Sequence, residues 1–501
     1  MKHVKFIYVG ILTAALAFSG CSSDFLETAP TNAVSETSVT TAKDLYNALN
    51  GIHRKMVASD RGNQGMGGEP GFIICREAQG DDMTWDTQGW HQTYLNWTAN
   101  TNPSTSYNYN LWLTYYEFIL NCNKILELYE TLSDDEKALP LASHVLGETR
   151  AFRAWAHFQL VQYYAFRYDA TSDNSHPGVP IHTASEAVDL ARNTVAEVYK
   201  FINDELTAAA TLLKGYKAND INHYSEKVIY GFLARVALTQ QNYKAAGDYA
   251  AKAIEIAEAE GHRMMTYDQA NVEKNPTLFP DISSLTKDAI YAALTQDHQS
   301  IGFYSFYAYM SWNFASSSIR TGIKCISQST YDLMSDTDIR RAWWDPTGKA
   351  EVPSSSYYQR VYQNRKFTAR STSTNVGDFA FMRLTEMYLL ASEAYARAGE
   401  TETAKSYFTK FIAERDPSYT DSGKTGEDFA EEVMNHRRIE LWGEGFRWFD
   451  LKRLNRSVER TGSNFDVSFA GFLTRTPSEK GWAYEIPDME TNYNPNMVKN
   501  Y

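Results

Sequence analysis

The feature that most restricts the fold is a pair of similar alanine-rich segments, residues 227–261 and 383–414. They read KVIYGFLARVALTQQNYKAAGDYAAKAIEIAEAEG and RLTEMYLLASEAYARAGETETAKSYFTKFIAE, and each has apolar residues at helical spacing on both sides of a short polar turn. Ala234 and Ala237 of the first copy correspond to Ala391 and Ala394 of the second. Small side chains at these positions let two helices approach closely, so each segment predicts a packed helix pair.

The two copies resemble the tetratricopeptide repeat, a helix–turn–helix unit of roughly 34 residues. Two repeats are fewer than a stable solenoid needs. Residues 108–166 and 194–213 also have helical periodicity and are expected to supply degenerate partners. The pattern therefore predicts a mainly α fold, in which tetratricopeptide-like pairs over about 108–261 and 383–414 form an α-α superhelical scaffold.

Between the two copies lies a stretch of weak periodicity, residues 262–378. It contains three aromatic-rich segments: QDHQSIGFYSFYAYMSWNF (296–314), WWDPTGK (343–349) and SSSYYQRVYQNRKF (354–367). Irregular stretches of this length inside a compact domain are usually functional. We expect a loop-rich ligand-binding lobe here, inserted into one domain that covers residues 44–501.

The N-terminus has the pattern of an exported protein. Lys2 and Lys5 precede an apolar run over 6–18, which is shorter than the about 20 residues that span a bilayer and fits a signal peptide over 1–20. The following AFSGC resembles a bacterial lipobox, so Cys21 is expected to be lipidated and 21–43 to form a tether. The alternative is an ordinary signal peptide with a coincidental cysteine.

Composition and cysteine spacing exclude several classes of protein. The formal net charge is −13 and no run of Lys and Arg occurs, which argues against nucleic acid and against an anionic membrane face as partners. The other cysteines, Cys75, Cys122 and Cys325, are odd in number and fit no zinc or redox motif, so at most one disulfide is expected. No loop resembles an EF-hand, and we predict neither a metal site nor a cofactor.

Charged residues crowd the C-terminal segment NHRRIELWGEGFRWFDLKRL, residues 435–454. Glu440 and Glu444 are four apart on one helical face, and paired carboxylates catalyse glycoside hydrolysis. Five basic residues lie in the same segment and would pair with its acids: Arg437, Arg438, Arg447, Lys452 and Arg453. We therefore expect structural ion pairs rather than a catalytic centre.

This C-terminal segment, with GDFAFMRLTEMYLLASEAYARAGE (377–400) and WAYEIPDMETNYNPNM (482–497), resembles the SusD/RagB family. The similarity extends to LWLTYYEFILNCNKILE (111–127) and to CSSDFLETAPTNAVS at the N-terminus, and so covers nearly the whole chain. The resemblance implies a surface lipoprotein without catalytic activity. It also implies that the helical scaffold packs on a SusC-like TonB-dependent outer-membrane transporter, to which captured oligosaccharide or polysaccharide is delivered.

A glycan site needs aromatic rings for the apolar faces of sugars and polar side chains for their hydroxyl groups. The segment DDMTWDTQGWHQTYLNW (81–97) supplies such a mixture. We predict Trp85 and Trp90 as rings that face the ligand, with Asp81, Asp82 and His91 as neighbouring polar contacts. Trp97 follows at a helical spacing and is expected in the core.

The second predicted region is residues 303–320, whose aromatics are too crowded for all to face a ligand. Tyr309 and Trp312 are the predicted ligand-facing rings, and Arg320 is the predicted partner of a hydroxyl or carboxylate. We expect the adjacent Trp343 and Trp344 in the core. The family resemblance favours both regions, because its glycan contacts come from loops before the first repeat and from the insertion, although they vary among members.

The sequence leaves three alternatives to a glycan-capturing surface protein. A helical glycoside hydrolase would need two carboxylates across a cleft, and no motif for one is present. A tetratricopeptide scaffold would bind only protein, and a peptide-uptake lid would serve the same kind of transporter with another ligand. The identity of the glycan is not encoded in any motif that we recognise.

Overall fold

The computed structural model describes residues 39–58, 66–186, 188–296 and 300–501. The predicted signal peptide 1–20, the lipidation site Cys21 and most of the tether lie outside these residues. The first helix of the described part begins at Ala42, so the last two residues of the predicted tether are helical.

Helices dominate the fold. The ten helices of more than ten residues within the described chain are α1 Ala42–Lys55, α2 Gly68–Gln79, α3 Ser106–Glu130, α4 Pro140–Tyr164, α5 Val195–Leu212, α6 Glu226–Thr239, α7 Tyr243–Ala259, α8 Leu384–Arg397, α9 Thr401–Ala413 and α10 Gly426–Glu440. Shorter α-helices are Gln92–Leu95, Thr98–Thr101, Asp134–Lys137, Tyr267–Ala270, Ile282–Leu285, Tyr307–Met310, Ser317–Thr321, Gln328–Tyr331, Arg447–Arg453, Val467–Ala470 and Asp488–Tyr493. The mainly α prediction is confirmed.

Local sequence sets several helix starts. Thr41 caps α1 and Thr194 caps α5, and each forms a reciprocal capping box with an acid three residues later, Asp44 and Glu197. Such a box satisfies two backbone N–H groups that have no partner inside the helix. Pro140 begins α4, where its missing N–H costs nothing.

The long helices pack as a continuous series. Helix α3 lies against α4, α4 against α5, α5 against α6 and α6 against α7. Helix α7 then packs on α8, although more than 120 residues separate them in sequence, and α8 contacts both α9 and α10. Each alanine-rich segment is thus a packed helix pair, as predicted, and the structure adds that the two pairs are neighbours.

Close approach of α7 and α8 depends on a glycine. A Cβ atom on Gly247 would lie 2.9 Å from the ring of Tyr395 on α8. The Tyr395 hydroxyl is held in place by donating a hydrogen bond to Asp248 at 3.0 Å. Tight packing of this kind leaves no room for one additional carbon.

The insertion is held by short strands. They are β1 Met83–Thr84, β2 Ala289–Ala293, β3 Cys325–Ile326, β4 Trp344–Asp345, β5 Gln363–Asn364, β6 Phe379–Arg383, β7 Val458–Glu459 and β8 Thr474–Arg475. Strands β2 and β6 pair antiparallel with Ala289 opposite Arg383, and β7 pairs with β8. The β2–β6 pair brings both ends of the insertion together beside α8.

The two glutamates of the C-terminal charged segment form ion pairs, but with bases from outside the segment. Glu440 is completely buried and pairs with Arg383 at 3.0 Å and with Arg415 at 2.9 Å. Glu444 pairs with Lys366 and Arg383, both at 2.8 Å. These bases come from other elements, because a side chain on the helical face of Glu440 points at neighbouring elements rather than along its own helix.

Other charges of the segment pair as expected within it. Asp450 accepts hydrogen bonds from Arg437 at 3.0 Å and Arg453 at 2.9 Å. Lys452 instead donates to main-chain carbonyls at the end of α4, including that of Ala165 at 2.7 Å. The segment thereby fastens the C-terminal part of the chain to the scaffold.

The three cysteines of the described chain do not form disulfides with one another. Cys75, Cys122 and Cys325 are buried and free, so no disulfide links them. Burial raises the pKa of the Cys325 thiol to about 12.

Among the residues described, no helix is both long and apolar enough to cross a membrane.

Candidate functional site

A four-stranded sheet with strand order β1-β3-β5-β4 brings together the two regions that the sequence singled out. Met83 in β1 lies opposite Ile326 in β3, and Cys325 lies opposite Gln363 in β5. The antiparallel register places the loop after β1 beside the segment that precedes β3, and hydrogen bonds join the loop that precedes β5 to both.

Polar contacts join these three segments. Arg360 donates from Nε to a carboxylate oxygen of Asp86 at 2.8 Å, and its guanidinium lies 5.2 Å from the ring centre of Tyr358. The Thr87 hydroxyl donates to the carbonyl of Thr321 at 2.7 Å, next to Arg320. The carbonyl of Arg320 in turn accepts the backbone N–H of Tyr358 at 2.7 Å.

Two large rings project from this region into solvent. Trp90 is 38% exposed and Tyr358 is 52% exposed. We call the surface formed by Asp86, Thr87, Trp90, Arg320, Tyr358 and Arg360 the aromatic loop surface. It combines flat apolar faces with a carboxylate and two guanidinium groups, which is the chemistry that sugar rings require.

Asp81 and Asp82 lie inside the protein and not on this surface. Asp81 is paired with Arg447 at 2.7 Å, and Asp82 accepts from Arg438 Nε at 2.9 Å and from Thr330 at 2.6 Å. Burial alone would raise the pKa of Asp81, but Arg447 and Arg438 outweigh it and lower that pKa to about 2. Both oxygens of Asp81 and Oδ1 of Asp82 accept hydrogen bonds from arginines of the C-terminal segment. These buried acids therefore have a structural role, and they do not lie on the surface where ligand contacts were predicted.

Trp85 also lies below the surface. Only 4% of its area is exposed, its ring packs on Phe469, and the ammonium of Lys324 sits 3.6 Å from its ring centre. Burial lowers the pKa of Lys324 to about 7. Trp85 therefore supports the loop that carries Trp90, and no face of its ring is open to a glycan in this conformation.

His91 and Tyr309 are brought together, but in the interior. Their rings meet edge to face with centres 4.9 Å apart, and both residues are buried. This contact joins the loop after β1 to the short helix Tyr307–Met310, which links the two predicted regions. The contact supports the aromatic loop surface from the interior, and neither ring forms part of that surface.

Trp312 lines a different place, an open pocket of about 940 Å³. The guanidinium of Arg365 lies 3.8 Å from its ring centre, and its Nε1 donates to the Thr368 hydroxyl at 2.7 Å. Trp344 and Asp345 of β4 line the same pocket, at the opposite edge of the sheet from β1. Neither Trp85 nor Trp90 lines it, so the predicted ligand-facing rings Trp90 and Trp312 lie at two separate places.

Sequence reasoning missed Asp86, Tyr358 and Arg360 as site residues. The signal for the last two was present, because SSSYYQRVYQNRKF was recognised as an aromatic-rich irregular segment. Nothing in that segment indicates which other loop it contacts in the fold. The core predictions for Trp97, Trp343 and Trp344 are confirmed, as all three are buried.

Taken together, the fold and this surface define a mainly helical protein whose loop-rich insertion carries a polar–aromatic binding surface. Two family profiles match the chain: one described as "Starch-binding associating with outer membrane" over residues 24–238, and one described as "SusD family" over 303–501. The chain belongs to the SusD/RagB family.

Solved structures agree with this assignment. A candidate sugar-binding protein of Bacteroides vulgatus ATCC 8482 is 26% identical, with a TM-score of 0.77 over 92% of this chain and 99% of that one. A SusD-like carbohydrate-binding protein of the same organism shares the fold, with 21% identity and a TM-score of 0.78 over 92% and 98% of the two chains.

One curated relative, SusD-like protein P38 of Formosa agariphila, is 28% identical over 100 residues. The match covers 18% of this chain and spans about a fifth of the length of that relative, 20%.

Proposed function

We propose that this protein captures oligosaccharide or polysaccharide at the cell surface, without catalysis, and delivers it to a TonB-dependent outer-membrane transporter. The observation that carries the proposal is the aromatic loop surface, where Trp90 and Tyr358 are exposed on the two loops that the Asp86–Arg360 ion pair joins. Membership of a family of starch- and sugar-binding proteins associated with the outer membrane supports it.

The proposed contacts follow from what each side chain can offer. Trp90 and Tyr358 would cover apolar sugar faces, at about 25 cal/mol for each Å² of apolar area removed from water. Asp86, Arg320 and Arg360 would pair with hydroxyl groups, since a buried hydroxyl without a partner costs about 1–3 kcal/mol. Trp312 would make a separate contact in its own pocket.

The acids of the C-terminal segment support a non-catalytic role. A glycoside hydrolase needs one carboxyl group with a raised pKa as proton donor. Burial would raise the pKa values of Glu440 and Glu444, but the neighbouring Arg415, Arg383 and Lys366 lower them instead. Neither acid is suited to donate a proton to a leaving group.

Binding of a glycan panel to single-site variants tests the proposal. We expect Trp90→Ala and Tyr358→Ala each to weaken the affinity by roughly tenfold or more, as measured by calorimetry, because central aromatic contacts carry most of a binding energy. Tyr493→Ala is the matched control: Tyr493 is 75% exposed on the short helix Asp488–Tyr493, remote in sequence from this surface. It should bind like the unaltered protein.

Three results would contradict the proposal. Equal losses in the Tyr493→Ala control would show that the effect is not specific to the surface. New reducing ends after incubation with a bound glycan would make the protein a hydrolase. Binding to peptides and to no glycan would favour the peptide lid or the protein-binding scaffold.

The transporter part of the proposal needs its own measurement. We expect the protein to copurify with a TonB-dependent transporter after mild detergent extraction of outer membranes. Trp90→Ala should leave this association intact while reducing glycan uptake. Uptake that continues unchanged in cells lacking the protein would contradict the delivery role.

A further inference from the structure

Two histidines and a glutamate meet inside the helical scaffold, far from the aromatic loop surface. His53 lies near the end of α1, Glu148 lies in α4, and His223 lies in the segment before α6. All three are buried, and one ligand atom from each lies within 4.8 Å of the other two. Because they come from three distant parts of the chain, no spacing motif in the sequence indicates that they meet.

The distances within this cluster are short. His53 Nε2 lies 2.8 Å from a carboxylate oxygen of Glu148. His223 Nδ1 lies 3.1 Å from the other oxygen of the same carboxylate. Glu148 thus faces one nitrogen from each ring.

Neighbouring groups hold these side chains in their orientations. The backbone N–H of Tyr224 donates to Glu148 at 2.6 Å, and Tyr46 Oη lies 3.2 Å from Nε2 of His223. The His53 ring packs edge-on against Phe152 and Tyr224. Ligands of a metal ion are commonly oriented by such a surrounding layer of hydrogen bonds and packed rings.

We propose that His53, Glu148 and His223 form a binding site for a divalent transition metal of the zinc class. Two histidines and one glutamate are a known three-ligand set for Zn²⁺. With bonds of about 2.0–2.1 Å, the ligand atoms of a tetrahedral zinc ion lie roughly 3.3 Å apart. The two observed nitrogen–oxygen separations, 2.8 Å and 3.1 Å, are slightly shorter, and all three ligand atoms lie within 4.8 Å of one another, so modest movements of the side chains reach this spacing.

A pocket of about 470 Å³ provides access and room for a fourth ligand. His53 and His223 line it, together with Tyr46 and Asp220. The fourth coordination position would face this pocket and take water or an oxygen of a small ligand. An entry path of this kind is one of the features that a real metal site must have.

Besides these side-chain movements, binding requires a change of tautomer in each ring. The proton that His53 Nε2 shares with Glu148 moves to Nδ1, and the proton on His223 Nδ1 moves to Nε2, from which it is donated to Tyr46 Oη. The freed nitrogens and the carboxylate then bind the metal, and no net proton is lost from the two neutral rings. Ca²⁺ and Mg²⁺ prefer oxygen ligands and should not bind here.

Such a site would join α1 to the scaffold. His53 belongs to the first described helix after the predicted lipidated tether, whereas Glu148 belongs to α4 and His223 to the segment between α5 and α6. A bound metal would therefore link the anchored end of the chain to the helices that carry the rest of the molecule. The inference does not depend on glycan binding.

Titration of metal-free protein without a polyhistidine tag tests the site. We expect Zn²⁺ to bind with a stoichiometry near one by calorimetry and Co²⁺ to give visible absorption bands of a four-coordinate site. Zn²⁺ should also raise the Tm, because a metal that binds only the folded chain stabilises it. Equal Tm shifts with Ca²⁺, or no Co²⁺ bands, would overturn the proposal.

Three variants make the test specific. His223→Gln and Glu148→Gln should each weaken Zn²⁺ binding by at least roughly tenfold and abolish the Zn²⁺-dependent rise in Tm. His262→Gln is the matched control, because that partly exposed histidine bonds to the carbonyl of Lys287 and lies outside the cluster. If His223→Gln binds Zn²⁺ as tightly as the control does, the cluster is a hydrogen-bonded triad and not a metal site.

Discussion

At the level of single side chains, burial changes the chemistry of an acid most clearly at Glu77. This residue is 1% exposed near the end of α2, and its Oε2 accepts the backbone N–H of Gly445 at 3.0 Å. Burial raises its pKa to about 8, aided by the charge of Asp82 and opposed by Lys366 and the backbone N–H donors. The folded protein thus favours the neutral form of Glu77.

The raised pKa of Glu77 makes the free energy of unfolding depend on pH. Because the folded pKa exceeds the unfolded value, the contribution of Glu77 to stability is fully present below about pH 4.5 and is lost as pH rises towards 8. Glu77→Gln retains an acceptor for Gly445 and cannot ionise. We expect this variant to gain on the order of a few kcal/mol at pH 8 relative to the unaltered protein, and little at pH 4.

Urea unfolding at pH 4, 6 and 8 measures this difference. The control is Glu197→Gln, which alters an exposed acid in the capping box of α5. If the stability gap between Glu77→Gln and the unaltered protein stays constant over this range, Glu77 is not protonated in the fold.

At the level of helices, the contact between α7 and α8 joins two segments that the insertion separates. Ala246 and Ala250 of α7 and Ala391 and Ala394 of α8 are fully buried there. Small side chains shorten the distance between helix axes, and Tyr395 fills the space above Gly247. The insertion can therefore project from the scaffold without interrupting the series of helices.

Gly247→Val should destabilise the protein by about 1–3 kcal/mol, because its side chain must enter space that the Tyr395 ring occupies. Gly51→Ala is the matched control: a Cβ there meets no atom within 4 Å in α1, and replacing helical Gly by Ala should stabilise by up to about 1 kcal/mol. Thermal unfolding monitored by circular dichroism compares both. A Gly247→Val protein as stable as the parent would contradict the tight packing.

At the level of the whole molecule, the proposed role requires the chain to remain attached to a membrane. In our proposal, attachment depends on acyl chains at Cys21, since several chains on one cysteine anchor stably where one would be marginal.

Cys21→Ala should release the protein from the membrane fraction, since the variant lacks the acylated cysteine. Immunoblotting of membrane and soluble fractions measures the release. Ser19→Ala is a suitable control, because it keeps a small residue before the cysteine and should leave the protein membrane-bound. Retention of Cys21→Ala in the membrane fraction would contradict the lipoprotein prediction.

Much of the fold could be predicted because its evidence is local. Alanine spacing and helical periodicity are properties of short segments, so the helices at 227–261 and 383–414 were recognisable, as were the long helices before them. The buried position of Trp97 followed from the same periodicity. The helical conformation that this spacing implied is absent at Trp97, which has a positive φ of 62° and lies between two short helices. Its ring packs instead against Trp448 and Trp482.

The candidate site was predicted less well because its evidence is not local. Trp85 and Trp90 are five residues apart in one polar–aromatic segment, and both have the composition of a ligand-facing residue. Lys324 and Phe469 cover the first and leave the second exposed, and both of these residues come from distant parts of the chain.

The sequence by itself determined the family, the helical class, the loop-rich insertion and the charged C-terminal segment, because periodicity and motif order are written along the chain. Only the tertiary structure decided which residues of those segments face solvent, which bases pair with Glu440, and that His53, Glu148 and His223 meet. Pairing across a sheet and burial in a core depend on contacts between residues hundreds of positions apart. The sequence contains the residues that pair in the fold, but it does not indicate which of them lie close together.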